Sequence, residues 1–119
     1  MSTIPDTTKL NQMSIPGTHD TMTAHDKKGW FSGCKGVFKS LCLTQEWKLL
    51  EQLRNGIRFI DIRISQDSSD PRKFWIYHGW IYLDVELEDV LDILSKFLSD
   101  QPTETVIYFI FSYFIRKGR

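Results

Sequence analysis

Four side chains in this sequence have the chemistry that phosphoryl transfer requires: two imidazoles, a guanidinium and a carboxylate. They are His19, Asp20, Arg63 and His78, and each falls at or just beyond the end of a segment with strand character. One imidazole can remove a proton from an attacking hydroxyl group while the other protonates the leaving oxygen. The guanidinium can hold phosphate oxygens in a bidentate contact and offset the negative charge that develops.

Each of these residues taken alone has a simpler interpretation. A histidine at a turn is more often structural than catalytic, and Asp61 with Arg63 can form a buried structural ion pair. Their occurrence together at strand ends is what favours a catalytic site. The third histidine, His25, has no evident partner, and we expect no role for it.

Strands and helices alternate along the chain, as in an α/β fold with a mostly parallel sheet. Helical spacing predicts one helix that Thr44 caps and Gly56 ends, and an amphipathic helix over residues 85–98. The predicted strands cover residues 13–15, 57–64, 74–78 and 106–111.

The strand predicted over residues 57–64 carries charge on one of its two faces. Its period of two places Ile60, Ile62 and Ile64 on one face, and Asp61 and Arg63 on the other. A sheet packed on both sides would tolerate that charge poorly, whereas a barrel whose mouth holds polar groups accommodates it. We therefore expect a barrel with its site at the carboxyl ends of the strands.

Composition narrows the class of protein. The 119 residues suit one domain, and 15 basic against 15 acidic residues argue against a nucleic-acid partner. No secretory signal is visible at the N-terminus, and the most apolar run, residues 106–115, is shorter than the roughly 20 residues of a spanning helix. Cys34 and Cys42 are too few for a disulfide scaffold, and free thiols are favoured over a bridge. These features do not assign the protein to a cellular compartment.

Several motifs together resemble the X domain of bacterial-type phosphatidylinositol-specific phospholipase C. They occur in the family's order and with similar spacing over about residues 10–108, so residues 1–119 are interpreted as one partial X domain with a divergent tail at 109–119. The matching segments are residues 14–20 (SIPGTHD), Thr44-Gln45, Leu53, residues 55–63 (NGIRFIDIR), His78-Gly79, the helix near 83–98 and residues 101–107 (QPTETVI).

The resemblance implies the N-terminal part of a (β/α)8 barrel of the phospholipase C-like phosphodiesterases, incomplete in this chain. It implies that the inositol 2-hydroxyl attacks phosphorus, releasing diacylglycerol and a cyclic inositol phosphate. His19 matches the general base, His78 the general acid, Asp20 the acid's partner at the leaving oxygen and Arg63 the phosphate ligand. Asp61 matches a supporting acid beside Arg63.

Two positions differ between two branches of this family, and the residue at position 63 decides between them. The calcium-dependent branch has an acid where this chain has Arg63, and Asn where it has Asp20. A guanidinium cannot bind calcium, which prefers oxygen ligands. We therefore expect no metal and no other cofactor. Arg63 also counts against a metal-dependent glycerophosphodiesterase, a weaker alternative that needs paired carboxylates.

Residues 24–42 mix aromatic and basic side chains. Trp30 and Phe31 with Lys35 and Lys39 suit a phosphatidylinositol-containing membrane surface, and in the family this region touches the membrane. The alternative, aromatic core residues under a solvated lysine face, is equally open.

The resemblance also implies features that later strands would supply, namely the acid that orients the general base and residues that grip the inositol ring. At the tail, Phe111 stands about where the family has a lysine near the inositol. An open barrel would expose a strand edge available for self-association. The alternative function is therefore an inactive fragment that binds lipid headgroups or protein chains.

Overall fold

The computed structural model describes residues 3–25 and 43–112. Two short 3-10 turns, Leu10–Gln12 and Thr23–His25, flank the first strand. Cys34 and Cys42 lie outside the described residues. The principal elements are β1 (Gly17–Thr18), α1 (Leu49–Arg54), β2 (Phe59–Gln66), β3 (Phe74–His78), β4 (Ile81–Glu86), α2 (Leu87–Asp100) and β5 (Ile107–Ser112).

Strand β2 is the centre of a five-stranded sheet. One edge of β2 pairs in parallel with β5, from Phe59 opposite Ile107 to Ile64 opposite Ser112. The other edge is shared, because its beginning pairs in parallel with β1 and its end pairs antiparallel with β3. Strand β4 pairs antiparallel with β3.

The prediction of a mostly parallel sheet is therefore wrong for β3 and β4. The segments between β2, β3 and β4 are turns, and a turn can join only antiparallel neighbours, since a parallel connection needs a crossover of a dozen or more residues. The parallel part of the sheet, β1, β2 and β5, surrounds the positions of the predicted catalytic residues.

Several predicted boundaries differ from the structure, those of β2 (predicted 57–64) and β5 (predicted 106–111) by only one or two residues. The first strand lies at β1 rather than at residues 13–15, because Arg58 and Phe59 donate hydrogen bonds to the Pro16 carbonyl and begin the pairing there. Thr44 does not cap α1, which begins at Leu49. Residues 85 and 86 belong to β4, a strand that was not predicted, and α2 begins at Leu87.

The predicted division of β2 into two faces is confirmed. Ile60, Ile62 and Ile64 are buried and belong to one core cluster with the apolar sides of both helices. Burying a side chain of this size stabilises a fold by roughly 1.5–3 kcal/mol. The opposite face of β2, which carries Asp61 and Arg63, lines a cavity instead of the core.

Candidate active site

The parallel pairing of β1 with β2 brings the first two polar groups together. His19 and Asp20 follow β1 directly, and Thr18 is the register partner of Ile60, so both residues emerge beside Asp61. The Thr21 N–H donates to the Asp61 carbonyl at 3.0 Å, which continues the pairing past the end of β1. His78 is the last residue of β3, as predicted.

Asp20 is the centre of the site. Its side chain is only 2% exposed, and its Oδ1 lies 2.8 Å from Arg63 Nε. Its Oδ2 lies 3.1 Å from His19 Nε2 and 3.1 Å from His78 Nε2. The residue has φ +46°, a left-handed conformation that Asp tolerates better than most residues. The buried carboxylate thus faces the guanidinium and both predicted catalytic histidines.

Asp61 is a second carboxylate on the same cluster. Its Oδ2 lies 3.0 Å from Arg63 Nη2 and 3.0 Å from His19 Nδ1. Burial acts to raise the pKa of Asp61, but hydrogen bonds from Arg63 and the Asp20 N–H, with the Arg63 and His19 charges, outweigh it and lower the pKa below its ordinary value. Asp61 is therefore ionised at neutral pH.

The structure thus brings all five predicted catalytic residues into one cluster. Both imidazoles contact the Asp20 carboxylate, which also contacts the Arg63 guanidinium. Two imidazoles in one cluster can serve as proton donor and proton acceptor, which is the pairing that general acid and base catalysis requires. His19 is 64% exposed and His78 18%, so the two rings differ in their access to solvent.

Two residues that hold His19 were missed as site residues. The Gln45 side-chain amide donates to the His19 carbonyl at 2.8 Å, and the Thr44 hydroxyl donates to the same oxygen at 3.0 Å. Thr44 and Gln45 belong to a motif of the resemblance, and that was the available signal. Their role could not be inferred from residue type, because their side chains bind the backbone carbonyl of His19 and not its imidazole.

The buried side-chain amide of Gln52 forms hydrogen bonds that hold β1 in place. Gln52 of α1 accepts a hydrogen bond from the Thr18 hydroxyl at 2.7 Å, and it donates to the carbonyls of Thr21 and Trp47. This network ties the backbone on either side of His19 and Asp20 to α1. The site is consequently anchored to the core rather than carried on a free loop.

The prediction that His25 has no role is wrong. Its Nε2 accepts a hydrogen bond from the Leu49 N–H at 2.8 Å and so satisfies one of the free donors at the beginning of α1. His25 is a structural residue that joins the loop after β1 to α1.

This cluster opens onto a cavity of about 590 Å³. His19, Asp61 and Arg63 contribute its polar wall, and aromatic side chains form the wall beside them. Phe111 is the register partner of Arg63 on β5, which places an apolar ring where the resemblance implies a lysine. The full lining is Gly17, Thr18, His19, Phe59, Asp61, Arg63, Phe109 and Phe111.

The cluster also contains three groups of a type that can bind metal ions. His19, Asp20 and Asp61 each offer one ligand atom, and these atoms lie within 4.8 Å of one another. Arg63 contacts both carboxylates, however, so a cation at this position would meet a fixed positive charge. The donor set thus fits a divalent cation poorly while Arg63 is in place.

The predicted membrane residues Trp30, Phe31, Lys35 and Lys39 lie outside the described residues. Within residues 3–25 and 43–112, no helix has the length and apolar character needed to cross a membrane. Trp80, in the turn between β3 and β4, is 84% exposed and is two residues from His78.

Comparison with known proteins agrees with the geometry. Residues 13–111 match the family described as phosphatidylinositol-specific phospholipase C, X domain. A 1-phosphatidylinositol phosphodiesterase of Listeria monocytogenes is 43% identical over 107 residues, which cover 90% of this chain and 30% of the relative. The human PI-PLC X domain-containing protein 1 is 30% identical over 115 residues, covering 82% of this chain and 36% of that protein.

Solved structures show the same relationship in three dimensions. The phosphatidylinositol-specific phospholipase C of Listeria monocytogenes superimposes with a TM-score of 0.76 at 42% identity, over 92% of this chain and 36% of that one. The Staphylococcus aureus enzyme superimposes with a TM-score of 0.77 at 29% identity, over 100% of this chain and 38% of that one. The chain thus spans about a third of the length of these relatives, and its sheet is the corresponding part of their barrel. By its sequence and its fold, this chain belongs to the phosphatidylinositol-specific phospholipase C X-domain family.

Proposed function

We propose that this chain carries the catalytic cluster of a phosphodiesterase that cleaves phosphatidylinositol or a related inositol phospholipid. The observation that carries the proposal is the convergence of His19, His78 and Arg63 on the buried carboxylate of Asp20. The curated relatives named 1-phosphatidylinositol phosphodiesterase support the same substrate class.

In the first step, His19 acts as the general base. A ring nitrogen of His19 takes the proton of the inositol 2-hydroxyl, and the freed oxygen forms a new bond to phosphorus. The exposure of the His19 side chain and its place on the cavity wall support this assignment, because the attacking hydroxyl must reach the ring from that cavity.

In the same displacement, His78 acts as the general acid. It donates its proton to the diacylglycerol oxygen as the bond between that oxygen and phosphorus breaks, giving diacylglycerol and a cyclic inositol phosphate. Asp20 stabilises the protonated ring, since its Oδ2 lies 3.1 Å from His78 Nε2. The cyclic phosphate can then be opened by water, with the two histidines exchanging their roles.

Arg63 is assigned to the phosphate group. Two carboxylates hold its guanidinium, with Nε on Asp20 and Nη2 on Asp61, so its position is fixed before a substrate binds. A preorganised guanidinium stabilises the charge that develops on the phosphate oxygens without reorganising during the reaction. Because Arg63 supplies this positive charge, we propose that the reaction needs no metal ion.

The substrate class places a lipid surface at the mouth of the cavity. Trp80 is exposed beside His78, and tryptophan favours the boundary between water and lipid. A structural study of the Staphylococcus aureus relative concerns modulation of that protein's membrane binding. Trp30, Phe31, Lys35 and Lys39 remain predicted contacts of the same kind.

A second candidate function is a binding module without turnover. Strand β5 pairs with β2 on one edge, and its residues Tyr108, Phe109, Ile110 and Phe111 are all exposed. An exposed apolar strand of this kind can pair with another chain. This alternative covers both headgroup binding and self-association.

A measurement of phosphatidylinositol turnover distinguishes the two candidate functions. The chain is incubated with phosphatidylinositol vesicles, and diacylglycerol release is compared with that of the His78→Ala variant. Release that His78→Ala abolishes supports the enzyme. Headgroup binding without release supports the binding module.

A further inference from the structure

Asp20 holds its backbone in a conformation that side chains other than glycine rarely adopt. Its φ of +46° lies in the left-handed region, and Asp84 is the other non-glycine residue with a positive φ in the part of the chain that the structure describes. A left-handed non-glycine residue costs free energy, and it persists where the surrounding structure holds it. The contacts that hold Asp20 therefore bear on the geometry of the site.

The left-handed conformation brings the side chains of two consecutive residues together. In an extended strand, His19 and Asp20 would point to opposite faces. Here the chain turns at Asp20, and His19 Nε2 lies 3.1 Å from Asp20 Oδ2. With the same turn, Asp20 Oδ1 lies 2.8 Å from Arg63 Nε and Asp20 Oδ2 lies 3.1 Å from His78 Nε2. The arrangement of the whole cluster depends on this one backbone conformation.

The orientation of a single peptide group decides the sign of the φ angle of Asp20. The peptide that joins His19 to Asp20 is planar, so its rotation changes ψ of His19 and φ of Asp20 together. The same rotation distinguishes a type I turn from a type II turn, whose third residue has a φ of about −90° or about +80° respectively. A contact that fixes the His19 carbonyl therefore fixes the backbone of Asp20.

Gln45 makes the shortest of the hydrogen bonds to this peptide group. Its side-chain Nε2 donates to the His19 carbonyl at 2.8 Å. The Thr44 hydroxyl lies 3.0 Å from the same oxygen, but it has one proton and also lies 3.2 Å from the Asp20 carbonyl. On the opposite side of the peptide, the Asp20 N–H donates to Asp61 Oδ2 at 3.3 Å, which is a longer contact.

We propose that Gln45 is a positioning residue for the catalytic cluster, which holds the His19 carbonyl so that Asp20 stays left-handed and its carboxylate reaches His78. Gln45 contacts a backbone oxygen, so it acts on the reaction through the two residues that this peptide joins. Its effect on the reaction rests on the proposed function, whereas its effect on the backbone of Asp20 does not.

Nuclear Overhauser spectra of the 119-residue chain report the sign of φ without any need for turnover. The amide proton and the α proton of one residue lie closer together when φ is positive, so their cross-peak is more intense. In the unmodified chain we expect intense cross-peaks for both Asp20 and Asp84. Asp84 is the internal reference, because it lies on a different element, β4.

Two variants remove the hydrogen bond in different ways. Gln45→Met removes the donor with little change in side-chain size, and Gln45→Glu replaces it with a carboxylate that cannot donate when ionised. Each should weaken the Asp20 cross-peak and leave the Asp84 cross-peak unchanged. Gln66→Met is the matched control, because Gln66 Nε2 also donates to a backbone carbonyl at 2.8 Å, that of Pro71, in an exposed contact.

The spectra have outcomes that contradict the proposal. An intense Asp20 cross-peak in either Gln45 variant, as in Gln66→Met, would show that other contacts hold this backbone and would overturn it. Loss of the Asp84 cross-peak together with that of Asp20 would also overturn it, because Gln45 would then support the whole fold and not this peptide.

Kinetics extend the test to the reaction. If the chain turns over its substrate, Gln45→Met should lower kcat by about 10²-fold, the loss that a displacement of about 1 Å at a reacting centre can cause. KM should change little, and Gln66→Met should have the rate of the unmodified chain. A higher KM at unchanged kcat would contradict the positioning role. A chain with the expected cross-peaks but no turnover would refute the proposed function and leave the role of Gln45 at Asp20 intact.

Discussion

The Nε2 atom of His78 lies 3.1 Å from Oδ2 of Asp20, although one residue ends β3 and the other follows β1. The two strands do not pair with each other; each pairs with β2, at opposite ends of the same edge. The loop after β1 and the end of β3 therefore meet beside β2. This meeting point is where a buried carboxylate contacts a histidine that can donate a proton.

The contact predicts a specific defect in the His78→Ala variant. We expect release of diacylglycerol to fall by about 10²–10⁴-fold, because the leaving oxygen no longer receives a proton. An inositol phosphodiester whose leaving group is a nitrophenolate needs no such proton, so its cleavage should fall far less. Equal losses on both substrates would mean that His78 is not the general acid.

Arg63 is predicted to stabilise the fold as well as the substrate. Arg63→Met leaves the buried Asp20 carboxylate without its guanidinium, and such a loss typically costs about 3–5 kcal/mol in the free energy of unfolding. Urea unfolding measures this cost. The double variant Arg63→Met/Asp20→Asn should recover part of it, and a double variant no more stable than Arg63→Met would show that the pair is uncoupled.

The lowered pKa of Asp61 predicts a pH-dependent stability. A carboxyl group whose pKa is lower in the folded chain contributes stability that is present above its unfolded pKa, near the ordinary value of 3.8, and is lost as the pH falls through the folded pKa. Unfolding free energies below about pH 4 should therefore decline more steeply for the unmodified chain than for Asp61→Asn. Parallel curves for the two proteins would contradict the shift.

Metal removal is predicted to leave turnover unchanged. Arg63 supplies the positive charge beside Asp20 and Asp61, so excess chelator should not alter the rate of phosphatidylinositol cleavage. A rate that chelator abolishes and added calcium restores would overturn the metal-independent mechanism.

Trp80 is predicted to contribute to membrane contact. Trp80→Ala should weaken sedimentation with phosphatidylinositol-containing vesicles while leaving the far-ultraviolet circular dichroism unchanged, because the side chain is exposed in a turn. Leu91→Ala, on the exposed side of α2, is the control and should bind like the unmodified chain. Equal binding by all three proteins would remove Trp80 from the lipid surface.

Much of the candidate site could be predicted from the sequence, because apolar and charged residues alternate along the strand that carries it. The alternation along β2 separated Ile60 and Ile62 from Asp61 and Arg63, and the structure places the two sets on the core face and the cavity face. His78 was placed at its strand end by the same reasoning.

Strand β4 does show the alternation of a strand, with Leu83 and Val85 buried and Asp84 and Glu86 partly exposed, but it was missed because it continues into a helix without a break. Asp84 has φ +58° and lies in an irregular part of the pairing with β3, where the register shifts between Trp75 and Tyr77. The strand then runs directly into α2, whose first turn the Asp89 carboxylate closes by accepting the Glu86 N–H. Residues 85 and 86 therefore resembled the beginning of the helix.

The most direct test of the central claim is phosphorus-31 NMR of the 119-residue chain mixed with phosphatidylinositol vesicles in the presence of chelator. The proposed mechanism predicts the signal of a five-membered cyclic inositol phosphate, which is absent when His19→Ala or His78→Ala replaces the unmodified chain. Vesicle binding with no cyclic phosphate signal would contradict the mechanism and identify the chain as a binding module.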